Sequence, residues 1–215
     1  MRETGTEAKA EGLRCDHLVS RSRGWPPVAW LVLLLLAYVL FLGHYYAPAI
    51  SHPDANGYWG QGTLIAETGR ATFLPESPLQ YIGMHWLLTD SGPYVSRYPP
   101  GLPMAVALVS RLFGPEASVL LNPILAVATL LGVFFLTRVP VGPGWGVLAA
   151  LTLALNPVFN VHALNSISHM AVAALLVWGV YLLVSWSIHG RLSEAFAGGL
   201  LPPRLPELQR MEQIA

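Results

Sequence analysis

GWGVLAALTLALNPVFNVHALNSISHMAVAALLVWGVYLLVSWSI, residues 144–188, is the stretch that decides the fold. No Asp, Glu, Lys or Arg occurs between Arg138 and Arg191. A helix crossing the hydrocarbon core of a bilayer needs about 20 mostly apolar residues. The stretch is therefore long enough for two crossings, residues 144–159 and 167–188, with a turn between them. Asn156-Pro157 begins the break, and the polar run 160–166 is expected to be the turn. Irregular backbone at membrane depth survives only where protein or water covers it. That places the turn at the membrane surface or in a cavity.

The same texture extends towards the N-terminus. Residues 117–137 form another uncharged apolar run, ended by Arg138, with Asn122-Pro123 expected to kink its first turns. Residues 101–113 are apolar but reach only about 20 Å as a helix, so they either cross with help from their flanks or re-enter. Residues 28–43 are rich in Leu and Val, preceded by Arg21, Arg23 and Trp25 and closed by Tyr45 and Tyr46. Arginines on one flank and aromatic residues at both ends fit a first span whose N-terminus is cytoplasmic. A cleaved signal peptide ending near Tyr46-Ala47-Pro48-Ala49 is the rival reading; the long polar tail before the run and the position of Pro48 weigh against it.

Composition agrees. Of 215 residues, 53% are hydrophobic and 11% charged, against about 25% charged in an ordinary soluble domain. Zero net charge offers no basic face for nucleic acid. Cys15 is the sole cysteine, which excludes an internal disulfide and a cysteine metal cluster. The expected fold is an all-α, polytopic transmembrane helix bundle of four or five membrane segments with a partly helical extracytoplasmic loop. Residues 1–24 are expected to be a disordered cytoplasmic tail, 25–201 the membrane domain with its loop at 47–100, and 202–215 an irregular tail. Four spans put Arg138 and Arg191 in the cytoplasm, as the charge bias prefers; five put Arg138 outside. The expected location is the cell (inner) membrane, multi-pass.

Chemistry-bearing residues gather in the loop. Asp54, Glu67, Glu76, Asp90, Arg70, Arg97, His52 and His85 lie there among many Pro and Gly. Residues 54–69 suit one short helix lying at the membrane surface, with Tyr58, Gly62 and Ile65 on one face, Trp59 beside them and Gly69 as its C-terminal stop. Asp54 then has an ordinary use as a helix N-cap. Arg97 can serve headgroups by snorkelling, and Tyr81, Trp86 and Tyr94 can be interfacial anchors. His52, His85 and Asp54 carry metal-capable donors, but at no recognisable ligand spacing. His162 and His169 bracket the last turn, where an interface or a functional site would each account for them.

The order of these features resembles the N-terminal half of the GT-C glycosyltransferases, and most closely the bacterial family-39-like enzymes related to protein O-mannosyltransferases and the aminoarabinose transferase. The resemblance rests on the basic tail and first span, His52-Pro53-Asp54, the segment Ala66-Glu67-Thr68-Gly69-Arg70, and Arg97-Tyr98-Pro99-Pro100-Gly101 leading into an apolar stretch that ends Leu112-Phe113-Gly114. Leu121-Asn122 and Asn156-Pro157 complete it. It covers roughly residues 26 to 200. It implies transfer of a sugar from a polyprenyl-phosphate carrier to an acceptor on the extracytoplasmic side. Asp54 matches the family's loop acid and is the catalytic candidate; Arg97, Arg70, Tyr98 and His85 are the substrate-binding candidates. Ala55 and Ser168-His169 stand where the family often has further acids, so the chain carries no assigned metal ligands, although a divalent cation remains compatible with the resemblance.

The chemistry suits these residue types. Glycosyl transfer passes through an oxocarbenium-like transition state. A lipid-phosphate leaving group calls for cationic partners such as Arg, and an acceptor hydroxyl calls for a nearby carboxylate base. The implied partners are the lipid-linked sugar donor and membrane lipid, with no nucleic acid. Residues 192–201 read as the start of another membrane helix, stopped at Pro202-Pro203. The expectation is a truncated N-terminal part of a longer enzyme, inactive alone unless a separate chain supplies further helices. Two other classes stay open: a transporter or channel subunit with a midplane site around Pro123, Pro157 and residues 160–168, and a non-catalytic assembly protein.

Overall fold

The computed structural model describes residues 26–47 and 53–189. The expected terminal tails, the flanking Arg21, Arg23 and Arg191, His52 and residues 192–215 lie outside the described residues. Seven α-helices occur among the described residues: α1 (Pro27–Tyr45), α2 (Pro53–Thr68), α3 (Gly101–Phe113), α4 (Leu121–Val141), α5 (Pro143–Ala154), α6 (Pro157–Leu164) and α7 (Ser168–His189). A 3-10 segment, Pro115–Leu120, leads into α4. Pro27–Tyr45, Pro115–Val141 and Ser168–Ile188 are each long and apolar enough to cross a membrane, and α5 with α6 makes a fourth candidate bent by 69°. The chain is an all-α, polytopic, multi-pass membrane protein. At 13 residues, α3 is shorter than these spans.

Packing fixes the relative directions. Leu31, early in α1, shares a core with Phe134, late in α4, and with Ala150 of α5. Tyr38 and Leu42, late in α1, pack with Ala126 and Leu130, early in α4, and with Ala154, Phe159 and Met170. Thus α1 and α5 run one way, α4 and α7 the other. Arg138 marks one end, its guanidinium 4.9 Å from the centre of the Phe135 ring. Small residues let α4 sit at the centre. A Cβ on Gly132 would come within 2.7 Å of Val177, and one on Gly146 within 2.9 Å of Phe134. Close backbone approach is how helices gain contact where lipid supplies no hydrophobic drive. The outer faces of α1 and α7 remain apolar and uncovered, with Leu40 and Leu175 about three-quarters exposed (74% and 75%). That surface suits acyl chains.

The polar groups of the break sit differently from the expected turn. Residues 157–164 continue as helix through Asn160 and His162, and the bend falls at Leu155-Asn156. Asn156 caps α6, its Oδ1 accepting from the amides of Val158 and Phe159, and Pro157 needs no donor at the first helical position. Asn160 donates to the Ala154 carbonyl exposed by the bend (3.0 Å) and accepts from the Tyr38 hydroxyl of α1 (3.0 Å). The non-helical turn is shortened to residues 165–167. Pro123 also behaves more mildly than expected. It lies in the first turn of α4, and Pro115–Val141 continues as one span, because a first-turn proline loses no intrahelical bond. Arg138 does not end α4, which runs three residues further, to Val141.

The loop is built on α2, and Gly69 stops that helix at φ +70°, its amide bonding the Ile65 carbonyl (2.9 Å). Arg111 of α3 caps the same end, donating from Nε to Ala66 O (2.8 Å) and from Nη2 to Ile65 O (3.2 Å); a cation there also favours the helix dipole. Beyond it lies a three-stranded antiparallel sheet in the order β1 (Thr72–Phe73), β3 (Tyr94–Ser96), β2 (Trp86–Leu88), which the sequence reading did not anticipate. Its strands are only two or three residues long, too short for alternation to show. The helix expected to lie on the membrane surface packs along α3. Gly62 is the contact: an added Cβ would lie 2.4 Å from Val106 Cγ1 and 3.0 Å from the Pro103 carbonyl. Gly62→Ala should therefore destabilise by about 1–3 kcal/mol through overpacking. Gly60→Ala, with nothing within 4 Å of its added Cβ, should be neutral or slightly favourable. Thermal melts of both in detergent check this; equal melting temperatures would refute the close contact.

Candidate functional site

Asp54 is the second residue of α2, after Pro53, and lies in its first turn. The N-terminal end of a helix favours a carboxylate. The Tyr98 hydroxyl meets Asp54 Oδ1 at 2.5 Å and His85 Nδ1 at 2.8 Å. Three residues that lie far apart in sequence thus share one hydroxyl. Tyr98 reaches it because β3 ends at Ser96, whose Oγ accepts from the Tyr98 amide (3.2 Å). His85 reaches it because its carbonyl accepts from the Arg97 amide (2.9 Å), beside the β2–β3 pairing.

Rings close the cluster. Tyr58 lies against Tyr98 with centroids 4.3 Å apart, and His85 tilts over Tyr98 at 5.4 Å. Gly57 makes room: a Cβ there would be 2.3 Å from Tyr98 Cε2. Asp54, Gly57 and Tyr58 sit at i, i+3 and i+4, on one helix face. Partial burial, reinforced by the Asp54 carboxylate, pushes the Tyr98 phenol up to about 12, against an opposing pull from Arg97. Tyr98 consequently keeps its proton throughout the neutral range and remains a donor.

The cluster is tied to the bundle by two hydrogen bonds. Tyr58 OH donates to Ser168 Oγ, at the start of α7 (3.0 Å). Trp59 Nε1 donates to Ser118 Oγ in the 3-10 segment (3.0 Å). Below these ties, Asn122 Nδ2 reaches the carbonyls of His162 (3.3 Å), Asn165 and Ile167 (2.8 Å), joining α4 to the α6–α7 turn. His162 and His169 stack at that turn with centroids 4.5 Å apart. The site therefore stands at the end of the bundle opposite Arg138.

An apolar groove of about 430 Å³ opens at the same end, lined by Val39, Leu42 and Tyr46 from the α1 side and by Leu120, Pro123 and Ile124 from the α4 side. Leu120 is two residues from Ser118, the partner of Trp59. No residue of the cluster lines this groove.

Of the residues singled out from sequence, Asp54, Tyr98 and His85 come together. Arg97 is exposed, donates to the Met84 carbonyl (3.4 Å) and remains close enough to act on Tyr98. Arg70 does not join them: it is exposed beyond the far end of α2, about 24 Å along the helix from Asp54. Among the described residues no group of three His, Cys, Asp or Glu side chains is arranged to hold a metal. The roles of Ser118 and Ser168 as ties and of Arg111 as a cap carry no local sequence signal, because each partner lies more than 40 positions away. No family model, curated protein or solved structure matches the chain.

Proposed function

We propose that the chain is a membrane glycosyltransferase that moves a sugar from a polyprenyl-phosphate carrier to an acceptor on the extracytoplasmic side. The observation that carries this reading is the Asp54–Tyr98–His85 cluster, at the same end of the bundle as an apolar groove. A lipid carrier has an apolar chain and an anionic head, and it presents both at that depth. In this reading the groove takes the chain, and Arg97 meets the phosphate as it departs. Asp54 removes the acceptor's proton as the new C–O bond forms and the sugar–phosphate bond breaks. The GT-C resemblance supports the same roles. The arginine asymmetry supports an outside position for the loop, with Arg138 towards the cytoplasm; the location proposed with it is the cell membrane.

The transporter reading draws less support. It needs polar groups free to bind cargo at the bundle centre. Asn122, Asn160 and Tyr38 instead spend their hydrogen bonds on neighbouring helices and on the carbonyls of the break. The transferase reading is tested by following label from a panel of radiolabelled polyprenyl-phosphate sugars in membranes containing the chain, against Asp54→Asn. Transfer dependent on Asp54 is the expected result; transfer indifferent to the substitution would overturn the assignment.

A further inference from the structure

A tyrosine hydroxyl has one proton, yet Tyr98 stands between two acceptor-capable groups, Asp54 Oδ1 at 2.5 Å and His85 Nδ1 at 2.8 Å. An ionised carboxylate can only accept; a neutral imidazole offers one N–H and one lone pair. One arrangement satisfies all three groups. Tyr98 donates to Asp54, and His85 donates its Nδ1–H to the Tyr98 oxygen. The alternative, with the imidazole proton on Nε2, leaves two acceptors competing for one hydrogen. The Tyr98 phenol holds its proton through neutral pH, which keeps this chain of bonds in place. Nε2 of His85 then carries the lone pair. It makes no hydrogen bond to any described residue, and the ring is only partly buried.

We propose that Asp54, acting through Tyr98, holds His85 as the Nδ1–H tautomer, leaving Nε2 as an open acceptor atom for an O–H or N–H donor on the acceptor molecule. This gives the site two adjacent acceptors: the carboxylate, which removes a proton, and the imidazole, which orients the group that loses it. His85 is a binding residue and Tyr98 a positioning residue. That the occupant is a sugar acceptor rests on the transferase reading; the tautomer does not.

The test is nitrogen NMR on the full chain, labelled with 15N-histidine, in micelles at pH 9, where an imidazole is neutral. His85→Gln identifies the signal by its loss. In the wild type, Nδ1 should resonate as a protonated nitrogen and Nε2 as an unprotonated one. Asp54→Ala frees the Tyr98 proton to turn to Nδ1, so the pattern should invert. Tyr98→Phe removes the link and should return the mixture of an unconstrained imidazole, in which Nε2–H predominates. A wild-type His85 protonated on Nε2, or a pattern unmoved by both substitutions, would overturn the proposal. In the transfer assay, His85→Leu should raise the KM for the acceptor about tenfold, the size of one lost hydrogen bond, with a smaller fall in kcat. An unchanged KM would refute the binding role. Absence of any transfer in a wild type that shows the stated tautomer would count against the transferase reading and still support the tautomer assignment.

Discussion

Asp54→Asn lowers the rate of sugar transfer by roughly 100- to 10,000-fold, the span attributed to general acid–base catalysis and equivalent to about 3–5 kcal/mol of barrier. Asparagine keeps the shape of the carboxylate and can still accept from Tyr98, so the fold and the contact with the phenol survive. What disappears is a group able to take a proton. The loss should therefore fall on kcat, with donor binding and thermal stability close to wild type. Transfer kinetics with the donor saturating, alongside a melt in detergent, read both. A variant that transfers within a few-fold of wild type would remove Asp54 from the chemistry.

Asn122→Ala should destabilise the bundle by about 3 kcal/mol. Asn122 is 2% exposed and its amide serves three carbonyls, those of His162, Asn165 and Ile167. These belong to the end of α6 and the turn into α7, where helical partners run out. A buried carbonyl left unsatisfied costs about 1–3 kcal/mol, and the bond to the Ile167 carbonyl is buried. The melting temperature should fall by roughly 6–12 °C, at about 2–4 °C per kcal/mol for a chain of this size. An unchanged melt would mean that other groups or water replace the amide without loss.

The membrane architecture was legible because it depends on local composition. The uncharged stretch between Arg138 and Arg191, the aromatic ends of α1, and Gly69 after the loop helix are signals carried within a few residues. Asp54 and Tyr98 were also marked, although only through their order along the chain. What could not be read is what depends on distant partners. Asn160 looks like part of a turn in sequence, yet it lies in α6 because Tyr38 and the Ala154 carbonyl both bond to it. The sheet is carried by strands of two or three residues held by pairing rather than by pattern. Arg70, a substrate-binding candidate, lies beyond the far end of the 16-residue helix that starts at Pro53, a separation its place in the sequence does not show. Gly57 and Gly62 gave no chemical signal at all; their meaning lies in the rings and side chains they admit.

In the proposed reaction the cluster of Asp54, Tyr98 and His85 lies outside the cytoplasm, where a lipid-linked donor and its acceptor would meet. Cys15 is the sole cysteine, so Cys15→Ser gives a background in which one reporter thiol can be placed. Ser91→Cys puts it on the exposed turn between β2 and β3, and Val141→Cys puts it at the opposite end of the bundle. A membrane-impermeant maleimide applied to intact cells should label position 91 at once and position 141 only after the membrane is opened. Labelling at 141 in intact cells, with 91 protected until permeabilisation, would place the loop in the cytoplasm and contradict the account.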